Sequence, residues 1–145
     1  HNEKAIKYYQ LFLDKYPTSS ITKFNLGLIY KSTGQKEKAE AVWESSIKDE
    51  NAAYVTYIYL GIEMIKTGNN SEKAHKYLSD GITNILNKEN KSISDMISLV
   101  NAYKVLDDKD NVQKWNMEYE KLMKDSILDY NPNELLRQEI EEVSI

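Results

Sequence analysis

A chain of 145 residues is one domain by length, and 41% hydrophobic with 29% charged residues suits a folded, water-soluble protein rather than a disordered one. The formal net charge is −4 with lysines and carboxylates interleaved, so no basic stripe is present to neutralise phosphates and nucleic-acid binding by this segment is disfavoured. The absence of cysteine excludes disulfides, thiol catalysis and zinc–thiolate sites, and no apolar run or charged-then-apolar start spells a membrane span or a signal peptide.

In chain order, Ala5, Ile6, Tyr9, Phe12, Leu13 and Tyr16 recur at helical spacing and predict a helix over residues 3–16 that Pro17 ends. Thr18, Ser19 and Ser20 offer hydroxyl caps to a second helix over about 21–32, with Phe24, Leu28 and Ile29 around the pair Leu26-Gly27 and Tyr30 three residues beyond the glycine. Gly34 breaks that helix. Residues 36–48 predict its partner, with Ala39, Val42, Trp43 and Ser46 on one face and Lys36, Glu37, Glu40 and Glu44 on a solvated one. Small residues at Gly27, Ala39 and Ser46 let the two axes approach within ~8–10 Å while Tyr30 and Trp43 fill the space beside them.

Residues 53–66 predict the next helix, dense in tyrosine, and 71 or 72 to 87 its partner, with Ala74, Leu78 and Gly81 for packing. The polar connection from Asn87 to Ser92 reads as a surface loop, and Ser92 or Ser94 opens a helix ending near Leu106. After the acidic turn from Asp107 to Asn111, Val112, Trp115, Tyr119, Leu122 and Met123 mark a longer helix that Asn131-Pro132-Asn133 stops. A last amphipathic helix sets Leu135, Leu136, Ile140 and Val143 against Glu134, Glu139, Glu141 and Glu142, as suits a cap on the open end of a stacked array.

The spelling repeats. Tyr57, Leu60, Gly61 and Met64 reproduce the positions of Lys23, Leu26, Gly27 and Tyr30 at an offset of 34, and Ala74 and Leu78 those of Ala39 and Trp43 at 35. Upstream, Ala5, Tyr9 and Pro17 stand 34 before Ala39, Trp43 and Asn51. These are the anchor positions W-x2-L-G-x2-Y, A-x3-F and P, so the sequence resembles the tetratricopeptide repeat family over about residues 4–88. Lys23 and Tyr57 replace the family's usual Trp, and in a degenerate third unit Leu99 and Tyr103 keep their places while Val100, Asp107 and Val112 replace two glycines and the small alanine.

The resemblance implies an all-α fold of antiparallel helix-hairpin repeats stacked as a short right-handed superhelix, a TPR-like solenoid. Its divisions are 1–17, the second helix of a truncated repeat; 18–52 and 53–91, two units; 92–130, a degenerate helix pair; and 131–145, a capping helix. On this reading an upstream helix would cover the apolar face of residues 5–13, and His1 would be a tag remnant.

Catalytic apparatus is not legible. His75 stands next to the packing residue Ala74 in a lysine-rich helix with no second histidine in reach, and reads as solvated. The five glycines fall singly, so no phosphate loop is spelled, and the turn from Asp107 has Val112 and Tyr119 where a calcium loop needs ligands. No enzyme activity, metal or cofactor is expected.

What the resemblance does imply is a concave groove lined by first helices. It would take Phe24, Asn25, Leu28 and Lys31 from one unit, Val55, Ile58, Tyr59, Ile62 and Lys66 from the next, and Ser94, Ile97, Ser98 and Asn101 from the third. The family's carboxylate clamp is not reproduced at these positions. An apolar, tyrosine-rich groove instead favours a hydrophobic peptide or an amphipathic helix, with Asn25 and Asn101 able to bond to peptide backbone. Leu28 and Ile62 suit core filling as well, and Tyr59 suits either role. The expected function is a non-enzymatic scaffold for a protein or peptide, without membrane insertion. Alternatives are the peptide-sensing domain of a bacterial regulator and a self-association module forming a homodimer. The compartment is left open, with the cytoplasm favoured.

Overall fold

The computed structural model describes residues 1–50, 52–69 and 71–128; the expected capping helix over 131–145 lies outside the described residues. Among these the structure is all-helical: α1 (Asn2–Lys15), α2 (Ser20–Ser32), α3 (Lys36–Lys48), α4 (Tyr54–Thr67), α5 (Ser71–Leu86), α6 (Ile93–Val105) and α7 (Lys109–Leu128). The most extensive pairings are α2 with α3, α4 with α5 and α6 with α7, giving three successive hairpins. Between hairpins α3 meets α4, α5 meets α6, α4 meets α6, and α1 lies against α2.

Local chemistry sets the boundaries. Gly34 and Gly68 take φ of 77° and 71° between the helices of the first two hairpins, a left-handed conformation that costs glycine nothing. Asp107, in the corresponding turn of the third, is forced to φ 56° without that freedom. Ser92 caps α6 through a reciprocal pair: its hydroxyl accepts from the Asp95 amide, and its own amide donates to the Asp95 carboxylate at 2.8 Å. Asp108 accepts from the Asn111 amide at the start of α7, so the acidic turn is a helix cap. Ser19 departs from expectation. It precedes α2, but its hydroxyl bonds to that of Thr22 at 2.8 Å and caps no backbone amide.

Helix α4 is central because it is apolar nearly all round. Leu60 and Met64 join Leu26, Tyr30, Ala39, Trp43 and Ala74 in one cluster, while Ile58 and Ile62 join Leu78, Ile82, Ile85, Leu99 and Trp115 in the other. By contrast, α1 has no buried residue. Ile6, Tyr9 and Leu13 pack on the first cluster, but Tyr8, Leu11, Phe12 and Tyr16 remain exposed, with the Phe12 and Tyr16 rings 4.8 Å apart.

Each of the first two hairpins closes on a glycine. Trp43 is fully buried, donates from Nε1 to the Phe24 carbonyl at 3.2 Å, and lies so near α2 that a Cβ on Gly27 would fall 2.0 Å from that nitrogen. In α4, a Cβ on Gly61 would fall 2.7 Å from Leu78. A rigid indole cannot retreat as a leucine can. Gly27→Ala should therefore lower stability by about 2–3 kcal/mol in urea unfolding despite alanine's better helix propensity, with the Gly61→Ala cost smaller.

Candidate functional site

The first helices of the three hairpins border one cleft of about 680 Å³. From α2 come Phe24, Leu28 and Lys31; from α4, Tyr54, Val55, Ile58, Tyr59, Ile62 and Lys66. From α6 come Ser94, Ile97, Ser98, Asn101, Lys104 and Val105. Steps of three and four within each set put them on one face of each helix. Asn25 is not among the lining residues; it is half-buried, one position round α2 from Phe24. Tyr54, Lys104 and Val105 line the cleft without having been expected.

The cleft floor is also core. Ile58 is buried against Gly81, Ile62 is buried, and Leu28 packs on the first cluster. Tyr59 stands edge-on to Phe24 and Trp43 at ring separations of 5.4 and 5.8 Å, with the Lys31 ammonium 5.4 Å from its ring centre. It is half-buried and structurally committed. Ile97, at 44% exposure, is the large apolar lining residue most open to solvent, beside exposed Asn101.

Behind the α2–α4 wall, Glu63 is 2% exposed, and its Oε2 lies 3.4 Å from the Lys31 ammonium without a hydrogen-bond partner. This carboxylate depends on a single, half-exposed cation. Lys31→Met should cost about 1–3 kcal/mol because it strands the carboxylate, whereas Glu63→Met should change stability by less than about 1 kcal/mol, the released lysine reaching water. Urea titration of the two variants measures the asymmetry.

The opposite end of the cleft is tied by Asp95, which is fully buried. Its carboxylate accepts from the Tyr54 hydroxyl of α4, from Lys88 in the α5–α6 connection at 2.6 Å, and from the Ser92 amide. Burial alone would raise its pKa, but the bonds from Lys88, Tyr54 and Ser92 together outweigh it and hold the value at about 2. Burial raises the Tyr54 pKa, and its bond to Asp95 raises it further. A carboxyl whose folded pKa is depressed stabilises fully above its unfolded value near ~4, and loses that contribution as pH falls through the folded value. Between about pH 4 and pH 2, Asp95 should account for about 1–3 kcal/mol of lost stability. Asp95→Asn should flatten that part of the acid-unfolding curve and lower the thermal midpoint at pH 7.

Away from the cleft, Lys23 is buried and donates to Ser45 at 2.7 Å and to Asp49, tying the start of α2 to the end of α3 from the position where the repeat pattern expects Trp. Tyr57, at the matching place in α4, stacks edge-on to Tyr77 at 6.0 Å. Lys73 and the Tyr77 hydroxyl both bond Glu44 on α3, and the Lys73 hydrogen bond lowers the Glu44 pKa. His75 is exposed. No group of three or more potential metal ligands occurs among the described residues, nor any helix long and apolar enough to cross a membrane.

No protein-family model and no curated protein matches the sequence. The fold does have a counterpart: the crystal structure of BtubC (BKLC) from P. vanneervenii matches with a TM-score of 0.61 at 18% identity, over 90% of this chain and 59% of that one. At that identity the likeness is one of fold. The chain spans about three fifths of BtubC's length.

Proposed function

We propose that this chain is a non-enzymatic scaffold of tetratricopeptide type, its hairpins stacked as a short right-handed superhelix, which holds a segment of a protein partner in the cleft along α2, α4 and α6. One observation carries the reading: a single apolar cleft of about 680 Å³ is shared by the same face of three first helices, its floor formed by packed core side chains. That volume falls within the range of small-ligand pockets and accommodates a few side chains of a peptide. A floor set by core packing is preorganised, so little ordering cost falls on the scaffold when it binds. The polar lining residues Ser94, Ser98 and Asn101 on α6 supply donors and acceptors for peptide backbone. The repeat spelling from Ala5 to Leu78 supports the same conclusion.

A second reading, self-association, is favoured by a separate feature, the exposed stripe of Tyr8, Leu11 and Phe12 on α1 with Tyr16 just past its end. Sedimentation equilibrium of the parent and of Tyr8→Lys/Phe12→Lys separates it from the first, since only self-association through α1 predicts a dimer that these changes abolish.

For the cleft, Ile97→Glu is the informative change because Ile97 lines it while remaining well exposed. Its helical circular dichroism and melting temperature should match the parent. Affinity for a cognate peptide, measured by isothermal titration calorimetry, should fall at least about tenfold through loss of apolar burial and introduction of a charge. Equal affinity in parent and variant would remove the cleft as the binding surface.

A further inference from the structure

The charge of the cleft is opposite to that of the chain. The whole sequence has 23 acidic against 19 basic residues, yet the cleft lining contains Lys31, Lys66 and Lys104 and no carboxylate. All three stand in the last turn of their helices, α2, α4 and α6, and so at one end of the cleft; Tyr54 and Ser94 mark the other. Lysine in a last turn is itself ordinary, because it offsets the carbonyl end of the helix dipole, and Lys15 and Lys48 end α1 and α3 in the same way.

What differs in the cleft is the surroundings. Lys31 is engaged with Glu63 behind the wall, but Lys66 and Lys104 are exposed, make no ion pair with any described residue, and border an apolar surface. Such a surface lowers the local dielectric and makes an opposite charge on a ligand count for more than it would on an open face. At the far end, Asp95 is buried and its oxygens are already occupied by Tyr54, Lys88 and Ser92, so it offers nothing to a ligand.

We infer that the cleft takes an acidic, amphipathic peptide segment, its apolar side chains over Leu28, Ile58, Ile62 and Ile97 and its carboxylates at the end marked by Lys66 and Lys104. This deepens the peptide-scaffold reading and rests on it. Apolar contact supplies most of the affinity. The lysines fix the direction of the segment and exclude basic sequences.

The test is selection of a phage-displayed library of random peptides, about twelve residues long, against the parent chain, followed by titration of the enriched peptides in synthetic form. Enriched sequences should combine apolar residues with clustered Asp or Glu, and their affinity should fall as salt rises. Lys66→Glu/Lys104→Glu should weaken them at least about tenfold, while the same reversal at exposed Lys36 and Lys48 leaves them unchanged. Peptides that need the cleft, as judged by loss of binding to Ile97→Glu, but are uncharged or basic would overturn the acidic-ligand inference and leave the scaffold reading standing. Peptides insensitive to Ile97→Glu, or no enrichment at all, would overturn both.

Discussion

The structure depends on how closely two helices of a hairpin can approach. Where Gly27 meets Trp43 and Gly61 meets Leu78, the absence of a side chain on one helix lets a large one from its partner lie against bare backbone. Gly81 does the same from the other direction, receiving Ile58 of α4 on α5. These contacts fix both the spacing and the rotation of each pair, because a ring or branched chain seated on a glycine cannot slide along the helix without striking a Cβ.

From that constraint the cleft follows. With Leu60 and Met64 committed to one cluster and Ile58 and Ile62 to the other, α4 has little freedom to rotate, and its remaining face, with Val55, Tyr59 and Lys66, is held against the space between α2 and α6. Aromatic contact locks the α2 side through Phe24, Trp43 and Tyr59, and polar contact locks the α6 side through Tyr54 and Asp95. The two locks differ in kind. The first is a contact between ring faces and edges, whereas the second relies on a carboxylate whose protonation in acid withdraws an acceptor from three donors at once.

Helix existence and pairing were readable from the chain because they are local. Periodicity placed the first six helices to within about a residue of their observed bounds and the start of α7 to within about three, while the stop expected at Asn131-Pro132-Asn133 lies outside the described residues; the recurrence of Leu-Gly three residues before Tyr30 and Met64 marked which faces meet. The third hairpin was harder to read. Val100 stands in place of a packing glycine, yet α6 packs on α7 as extensively as α2 on α3, and α6 is tied to α4 by Asp95, through a bond to Tyr54 that lies 41 residues away in sequence. No spacing rule announces such a partner. Lys23 is similar: an interior lysine in a helix reads as solvated until Ser45 and Asp49 are brought to it.

The sequence by itself determined the helices, their turns and the face each turns inward, since these follow from side-chain volume, backbone freedom at glycine and a period of 3.6 residues. Only the tertiary structure decided that Asn25 stands off the cleft while Tyr54, Lys104 and Val105 line it, and that Tyr59 is bound into an aromatic cluster. It also decided that Lys66 and Lys104 share one end of an apolar surface. The physical reason is that a helix periodicity specifies a direction to within about one residue's rotation of ~100°, whereas the wall of a cleft is set by the separation of three helices.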